Sequence, residues 1–157
     1  MDPLFPEPPP LLAMCRIVCD VGELVSLGEA PGGERRYVPL TGGTVTGPEL
    51  HGTVVPGGVD WQVARPDGAL DIQAHYVLRL DDGALVEVQS KGLRHGPPEV
   101  MRRLAAGEPV ERDAYFFRTV IRFATGAPHW LHLNKVIALA SAARHARQVV
   151  LDVYRVA

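Results

Sequence analysis

The sequence predicts an all-β fold: a closed or nearly closed antiparallel β-barrel of the calycin or lipocalin type, with one short helix. The 16 glycines and 14 prolines are spread along the chain as punctuation. The segments between them are short and rich in Val, Leu, Ile, Tyr and Phe, which is typical of strands. Closing a sheet of many strands removes its exposed edges, so a barrel is favoured over a sandwich.

Most of the chain is predicted to form strands. The segments are residues 12–18, 35–39, 43–55 with a break near Pro48, 62–64, 70–80, 85–91, 115–124, 129–139 and 148–156. Asp81-Asp82-Gly83 favours a tight turn, because glycine accepts the positive φ angle that a hairpin turn requires. We therefore expect the strands on either side of this turn to pair antiparallel.

One helix is predicted over residues 98–106. Pro97-Pro98 sets the first turn, Glu99 lies at the positive end of the helix dipole, and Gly107 supplies the stop. The helix is short, so we expect it to plug or flank the barrel.

The alanine-rich segment after residue 137 allows a different interpretation, a second helix over residues 131–147. Val136 and Ile137 are β-branched, and the segment from Val149 to Val153 reads as a strand. These residues favour a hairpin over the helix.

Length and composition indicate a Pro-rich N-terminal tail, residues 1–10, followed by a single β-barrel domain, residues 11–157. The net charge of -2 leaves no basic surface of the kind that nucleic acid requires. Asp2 and Glu7 stand where a signal peptide would be basic, and no stretch is apolar enough for a membrane span. We therefore expect a cytoplasmic protein that binds neither nucleic acid nor membrane.

No residue pattern indicates a metal or a cofactor. Cys15 and Cys19 would lie about 13 Å apart on one face of a strand, too far for a disulfide, and no second ligand pair accompanies them. They are interpreted as core thiols. His129 and His132 would lie on opposite faces of a strand, which makes a shared metal improbable. The sequence therefore predicts no metal site.

Two glycine pairs, Gly42-Gly43 and Gly57-Gly58, do not match the pattern of a phosphate-binding loop. Neither has the Walker lysine, and neither opens a helix after a strand. They are interpreted as turn glycines, and no cofactor is expected.

Alternation along the strands separates polar faces from apolar ones. Along residues 70–80, His75 shares a face with Asp71, and along residues 129–139, Trp130, His132 and Asn134 share a face. The polar faces either look at water, as is usual for antiparallel sheets, or point partly into a ligand cavity. A Trp next to hydrogen-bonding groups favours a pocket wall, and both alternatives stay open.

Several motifs together resemble a known family. They are Thr41-Gly42-Gly43, Gly47-Pro48, residues 50–62, Tyr76, residues 82–85, Lys91-Gly92-Leu93-Arg94, residues 115–119, Phe123, Thr125-Gly126-Ala127, Leu133-Asn134 and residues 151–154. This pattern resembles the bacterial and fungal family called domain of unknown function 3237, or uncharacterised protein family 0311, over nearly the whole chain after about Arg16. The resemblance implies a single-domain β-barrel without an evident cofactor. By position, it implies a cavity lined by Asp60, Trp61, Arg94, Tyr115, Arg118 and Asn134.

The chain departs from the family pattern at two positions. The family usually has Trp-Leu-Asn where this chain has His132-Leu133-Asn134, and an Arg where this chain has His75. Both changes introduce an imidazole, whose pKa lies close to neutrality. They favour acid–base chemistry particular to this chain.

The functional hypothesis is a cofactor-independent isomerase, lyase or cyclase acting on a small carbonyl-bearing metabolite, in secondary metabolism or aromatic degradation. His75 or His132 would transfer the proton, Asp60 would orient or assist it, and Arg118 or Arg94 would stabilise enolate charge. The remaining candidates would bind the substrate and exclude water; they are Trp61, Arg94, Tyr115, Trp130 and Asn134.

The alternative is a binding or carrier barrel that has the same cavity and no chemistry. A protonatable pair that meets across the pocket would favour the enzyme, and an entirely apolar lining would favour the carrier. In either case the expected partner is a small molecule. The sequence also allows a homodimer, although it specifies no interface.

Overall fold

The computed structural model describes residues 2–157 of the chain, and this part is built almost entirely from strands. The strands are β1 (Leu11–Val21), β2 (Val25–Ala30), β3 (Gly33–Thr46), β4 (Gly52–Ala64), β5 (Leu70–Leu80), β6 (Leu85–His95), β7 (Phe116–Ala124), β8 (Ile137–Arg144) and β9 (Gln148–Val156). One α-helix, α1, spans Pro98–Ala105, and two 3₁₀ helices span Arg112–Ala114 and Pro128–Lys135.

The sheet closes on itself. Its strand order is β1-β9-β8-β7-β6-β5-β4-β3-β2, all neighbours are antiparallel, and β1 also pairs with β3. Eight strands therefore form a closed barrel, and β2 extends β3 as a hairpin outside the ring. The predicted fold class, an antiparallel barrel with one short helix, is confirmed.

The inward-facing side chains of the barrel strands are mainly apolar. In β5, Ile72, Tyr76 and Leu78 are buried, whereas Asp71 and His75 are exposed. The buried side chains of all barrel strands form one contiguous hydrophobic core. Of the two faces that alternation defines in β5, the apolar one therefore lines the interior.

The glycine pairs are not turn glycines; both lie inside strands, which corrects the interpretation from the sequence. Gly42-Gly43 lies where the β3–β4 register shifts, and Gly57-Gly58 lies at the shift between β4 and β5. A Cβ on Gly43 would meet the Val18 carbonyl oxygen on β1 at 1.9 Å. This glycine therefore lets the first and third strands approach closely where the barrel closes.

The predicted strands differ from the observed ones in places. The segments 35–39, 43–55 and 62–64 belong to two long strands, β3 and β4, separated near Pro48 as expected. β2 was missed because its residues are almost all exposed, so it has no buried face to create an alternating pattern.

The first part of the segment 129–139 is a 3₁₀ helix and not a strand. Pro128 suits the start of a helical turn, and the Asn134 side chain holds the backbone of Thr125, which keeps this segment compact. The strand begins only at Ile137.

The alanine-rich segment is strand β8, paired with β9, as the hairpin interpretation predicts. Ala138, Ala140 and Ala142 are buried inside the barrel. Small side chains fit this position because the barrel interior is narrow.

The helix α1 matches its predicted position. Leu104 is its only buried residue and belongs to the core. Because α1 connects β6 to the start of β7, it lies at the end of the barrel where β6 ends. No helix within residues 2–157 combines the length and apolar character that crossing a bilayer takes.

Candidate functional site

Among residues 2–157, five polar or charged side chains are buried in the mainly apolar barrel. They are Asp60, Gln62, Ser90, Arg94 and Thr119. Polar groups in a barrel interior are costly unless they are paired, so their position calls for an explanation.

Most of the charged groups gather at one end of the barrel, which we call the arginine end. Strands β4, β6 and β8 run in the same direction and end there, whereas β3 and β7 run in the opposite direction and begin there. Each strand contributes one or two inward-facing residues at this end, and Tyr115 directly precedes β7. The residues are Arg36, Asp60, Gln62, Arg94, Tyr115 and Arg144.

A chain of hydrogen bonds positions the Asp60 carboxyl group. Arg36 Nε donates to Gln62 Oε1 at 2.9 Å, and Gln62 Nε2 donates to Asp60 Oδ2 at 2.9 Å. Arg36 is itself held by Glu34, 3.6 Å away. The arginine fixes the amide orientation, so that the amide NH₂ group faces the carboxyl group.

Asp60 is only 8% exposed. Burial raises the pKa of its carboxyl group above the ordinary value, and the hydrogen bond from Gln62 and the nearby charges of Arg94, Arg144 and Arg36 offset part of this effect. A carboxyl group with a raised pKa can both accept and donate a proton nearer to neutral pH than an exposed Asp.

Arg94 and Arg144 form no ion pair with any carboxylate of residues 2–157. Arg94 is 7% exposed, and its Nε has no hydrogen-bond partner among the described residues. Its Cζ lies 5.3 Å from the centre of the Phe117 ring. Burial, followed by the charge of Arg144, lowers the pKa of Arg94 to about 10. The backbone N–H of Arg144 donates to the Tyr115 hydroxyl at 2.8 Å.

Next to the arginine end lies a small cavity of about 30 Å³. Its wall is mainly apolar, but it includes Asp60, Tyr76 and Thr119. In the described part of the chain, five buried side-chain polar atoms lack a hydrogen-bond partner, and three belong to these residues: Asp60 Oδ1, the Tyr76 hydroxyl and the Thr119 hydroxyl. A fourth is Arg94 Nε. Three of the five unpaired polar atoms therefore belong to residues that line this cavity, and Arg94 lies at the adjacent arginine end.

Cys19 also lines the cavity. Burial raises the pKa of its thiol to about 12, so the sulfur is protonated and weakly nucleophilic near neutral pH. Burial also raises the pKa of Tyr76 well above its ordinary value, so its hydroxyl stays a hydrogen-bond donor. Cys15 and Cys19 are both free and buried, as the sequence predicts.

Of the nine site residues that the sequence proposed, the structure brings three together: Asp60, Arg94 and Tyr115. His75 and Arg118 lie outside the barrel, which corrects the expectation that they point into it. His75 Nε2 is 2.9 Å from Glu87 Oε2 on the exposed face of β5 and β6. Both residues alternate with buried apolar neighbours, and the apolar face is the one that the core requires.

The candidates from the segment 129–139 are also outside the cavity, because this segment is a 3₁₀ helix. His132 is exposed, and Trp130 Nε1 donates to Asp82 Oδ2 at 2.8 Å. Asn134 accepts a hydrogen bond from the Thr125 backbone N–H and donates to the Thr125 carbonyl. Trp61 is 43% exposed and packs against Tyr37 on the outer surface.

Asn134 is expected to support the fold and not the ligand. Asn134→Ala removes its hydrogen bonds to the Thr125 and Leu131 backbone, so we expect a loss of about 1–3 kcal/mol in the free energy of unfolding. His132→Ala, which removes an exposed side chain nearby, should change it by less than about 0.5 kcal/mol. Urea denaturation measures both, and equal midpoints for the two variants would contradict this structural role.

The sequence analysis did not propose Arg36, Gln62, Tyr76 or Arg144 as site residues, although Gln62 and Tyr76 belong to the family motifs. A signal was present: each is a polar residue within, or at the end of, an apolar alternation that faces inward, as in Ala138, Ala140, Ala142, Arg144. Assigning the inward face to the apolar residues first would have found them.

A larger hollow of about 420 Å³ lies on the outer surface and includes Arg16, Arg112, Arg118 and Asp152. Arg16 is paired with Asp152 at 2.7 Å, and the Arg112 side chain is 82% exposed. Its charges are therefore paired or solvated, unlike those of the arginine end. Within residues 2–157, no three His, Cys, Asp or Glu side chains are grouped to hold a metal ion.

Known proteins share both the sequence and the fold. A UPF0311 protein of Rhodopseudomonas palustris is 43% identical over 140 residues, which cover 89% of this chain and 92% of the relative. A crystal structure of a conserved protein of unknown function from Rhodopseudomonas palustris has a TM-score of 0.93, with 40% identity over 98% of this chain and 100% of the other. A beta-barrel like protein from Acinetobacter baumannii has a TM-score of 0.85, with 35% identity over 98% of this chain and 99% of the other.

A more distant structure, an enzyme from Penicillium herquei, has a TM-score of 0.74 at 21% identity, covering 98% of each chain. At this identity the likeness concerns the fold. Residues 9–156 match the family described as "Protein of unknown function (DUF3237)". The family match and the close relatives agree with the resemblance seen in the sequence, and the chain belongs to the DUF3237 family, also named UPF0311.

Proposed function

We propose that this protein is a cofactor-independent enzyme, an isomerase, lyase or cyclase, that moves a proton on a small carbonyl-bearing organic molecule. The observation that carries the proposal is the buried Asp60 carboxyl group, which has one unpaired oxygen at the wall of a cavity. A general base needs both a proton-accepting atom free to reach the substrate and a pKa closer to the working pH.

The neighbouring groups suit the same chemistry. Asp60 Oδ1 would take a proton from the carbon next to the carbonyl, and the electron pair of the broken C–H bond would move onto the carbonyl oxygen to form an enolate. The Arg94 guanidinium, whose Nε has no partner among the described residues, and the Tyr76 hydroxyl, which faces the cavity beside Cys19, would stabilise the enolate oxygen. Asp60 then returns the proton to the same or another carbon, which balances the cycle without an oxidant or a reductant.

This proposal differs from the sequence hypothesis in its proton carrier. His75 and His132 are exposed on the outer surface, so the role of general base passes to Asp60. Arg94 takes the charge-stabilising role, since Arg118 lies outside the barrel.

The cavity limits how a substrate can bind. Its volume of about 30 Å³ holds one or two water molecules, whereas ligand pockets commonly measure ~300–1,000 Å³. We infer that only the reacting group of a substrate enters the cavity as it stands, and that the rest lies among the side chains of the arginine end.

Deuterium exchange tests the proposal directly. The protein is incubated in D₂O with 4-oxopentanoate and with cyclohexanone, and the loss of the protons next to each carbonyl is followed by NMR. We expect exchange of at least one compound to be faster with the protein than in matched buffer. Exchange of both compounds at the buffer rate would contradict the proposal for these carbonyl compounds.

The rival function is a carrier, which the mainly apolar wall favours: Leu40, Ile72, Phe117 and Leu151 line the cavity. Binding of either compound without faster exchange would support the carrier.

A cytoplasmic location, a homodimer and a small-molecule partner stay predictions.

A further inference from the structure

The arginine end holds more positive than negative charge. Three guanidinium groups, those of Arg36, Arg94 and Arg144, interact electrostatically with one carboxyl group, that of Asp60. Arg36 also has a carboxylate partner, Glu34. Arg94 and Arg144 have none within the described residues, although Arg94 is buried and Arg144 is half-buried.

This arrangement is unfavourable for the protein alone. Arg94 loses hydration that the Phe117 ring and the Asp60 charge replace only in part, because no hydrogen-bonded carboxylate accompanies it. The repulsion between Arg94 and Arg144 adds to this cost, and both groups remain charged near neutral pH. An anion placed between them would remove the repulsion and supply acceptors for the unpaired donor of Arg94.

We infer that the substrate is an oxo acid whose carboxylate is bound by Arg94 and Arg144, with its carbonyl group directed toward Asp60. This inference rests on the proposed function and names its substrate class. A carboxylate is planar and matches the guanidinium fork, and it needs less space than a phosphoryl group in this narrow barrel. The Phe117 ring, 5.3 Å from Arg94 Cζ, provides an apolar surface for the carbon chain of the acid.

Calorimetric titration tests the inference with three probes: 4-oxopentanoate, its neutral methyl ester and inorganic phosphate. We expect the acid to bind at least about tenfold more tightly than the ester, because the ester lacks the charge-assisted hydrogen bonds. Equal binding of acid and ester, or no binding of the acid, would overturn the inference. Tighter binding of phosphate than of the acid would overturn the carboxylate assignment.

Variants locate the site. Arg144→Gln should weaken binding of the acid by about tenfold to a hundredfold and leave binding of the ester unchanged. Arg94→Gln should weaken binding of both compounds, because Arg94 also contacts the carbonyl oxygen in the proposed function. Arg122→Gln, on the outer face of β7, is the matched control and should bind the acid as the wild type does. Arg144 is half-buried, so its variant keeps the test valid if Arg94→Gln does not fold. Acid binding that Arg144→Gln leaves intact would overturn the assignment.

The results of the binding and exchange experiments distinguish failure of the oxo acid site from failure of the proposed catalysis. Carboxylate-dependent binding without deuterium exchange would support the oxo acid site and remove the proposed catalysis. Exchange of cyclohexanone without a preference for the acid would support the catalysis and remove the oxo acid site.

Discussion

Asp60→Asn is expected to reduce protein-dependent deuterium exchange by about 10²–10⁴-fold, the usual contribution of a general base. The amide has the same shape as the carboxyl group, but it cannot accept a proton at neutral pH. It can still accept the Gln62 hydrogen bond through its oxygen. NMR measurement of the exchange rate, with the same carbonyl compound for both proteins, gives the ratio.

Asp71→Asn is the matched control for this variant, since it makes the same change on the outer face of the neighbouring strand β5. The Asp71 side chain is 51% exposed and pairs with Arg65. Its exchange rate should equal that of the wild type within about twofold. A rate for Asp60→Asn that also stays within twofold would remove Asp60 from the mechanism.

Stability as a function of pH shows whether Asp60→Asn is folded and whether Asp60 titrates as proposed. Burial raises the pKa of Asp60 above 3.8, so the folded state binds this proton more tightly than the unfolded state. The wild type therefore loses stability as the pH rises from about 3.8 through the raised pKa, and the variant lacks this loss. The stability of the variant relative to the wild type should increase over that window, as urea denaturation at several pH values would show.

The barrel could be predicted from the sequence because its evidence is local. Glycine and proline spacing, β-branched segments and the Asp-Asp-Gly turn each report a nearby backbone conformation. Strand β5 was predicted at its observed bounds, since both of its faces alternate cleanly. The prediction of a strand over residues 129–139 was wrong for its first part, which is a 3₁₀ helix. The conformation of this part depends on a contact between Asn134 and Thr125, nine residues apart, which alternation does not reveal.

The candidate site could be predicted only in part. Asp60, Arg94 and Tyr115 came from family motifs, and the structure places them at one end of the barrel. An imidazole side chain suits proton transfer near neutral pH in general, but this property does not reveal which face of a strand a histidine occupies. Arg36 lies on β3 and Arg144 on β8, which do not pair with each other; the two residues share the barrel interior only because β1 pairs with β3 and closes the sheet.

Closure itself depends on Gly43, and its position gives the largest stability effect that we predict. Gly43 has a φ angle of +145°, and an added Cβ would stand 1.9 Å from the Val18 carbonyl oxygen and 3.0 Å from the carbon that carries it. These are backbone atoms of a paired strand, so they can move only if β1 and β3 separate. We expect Gly43→Ala to lose about 4 kcal/mol or more in the free energy of unfolding, or to fail to fold.

Gly57→Ala separates this steric effect from backbone strain. Gly57 also has a positive φ angle, +113°, but an added Cβ would meet no atom within 4 Å. It should therefore lose only the cost of an unfavourable backbone conformation, about 1–3 kcal/mol. Urea denaturation compares the two variants with the wild type. Similar losses in both would mean that strain at glycine, and not the close approach of the first and third strands, limits closure of the barrel.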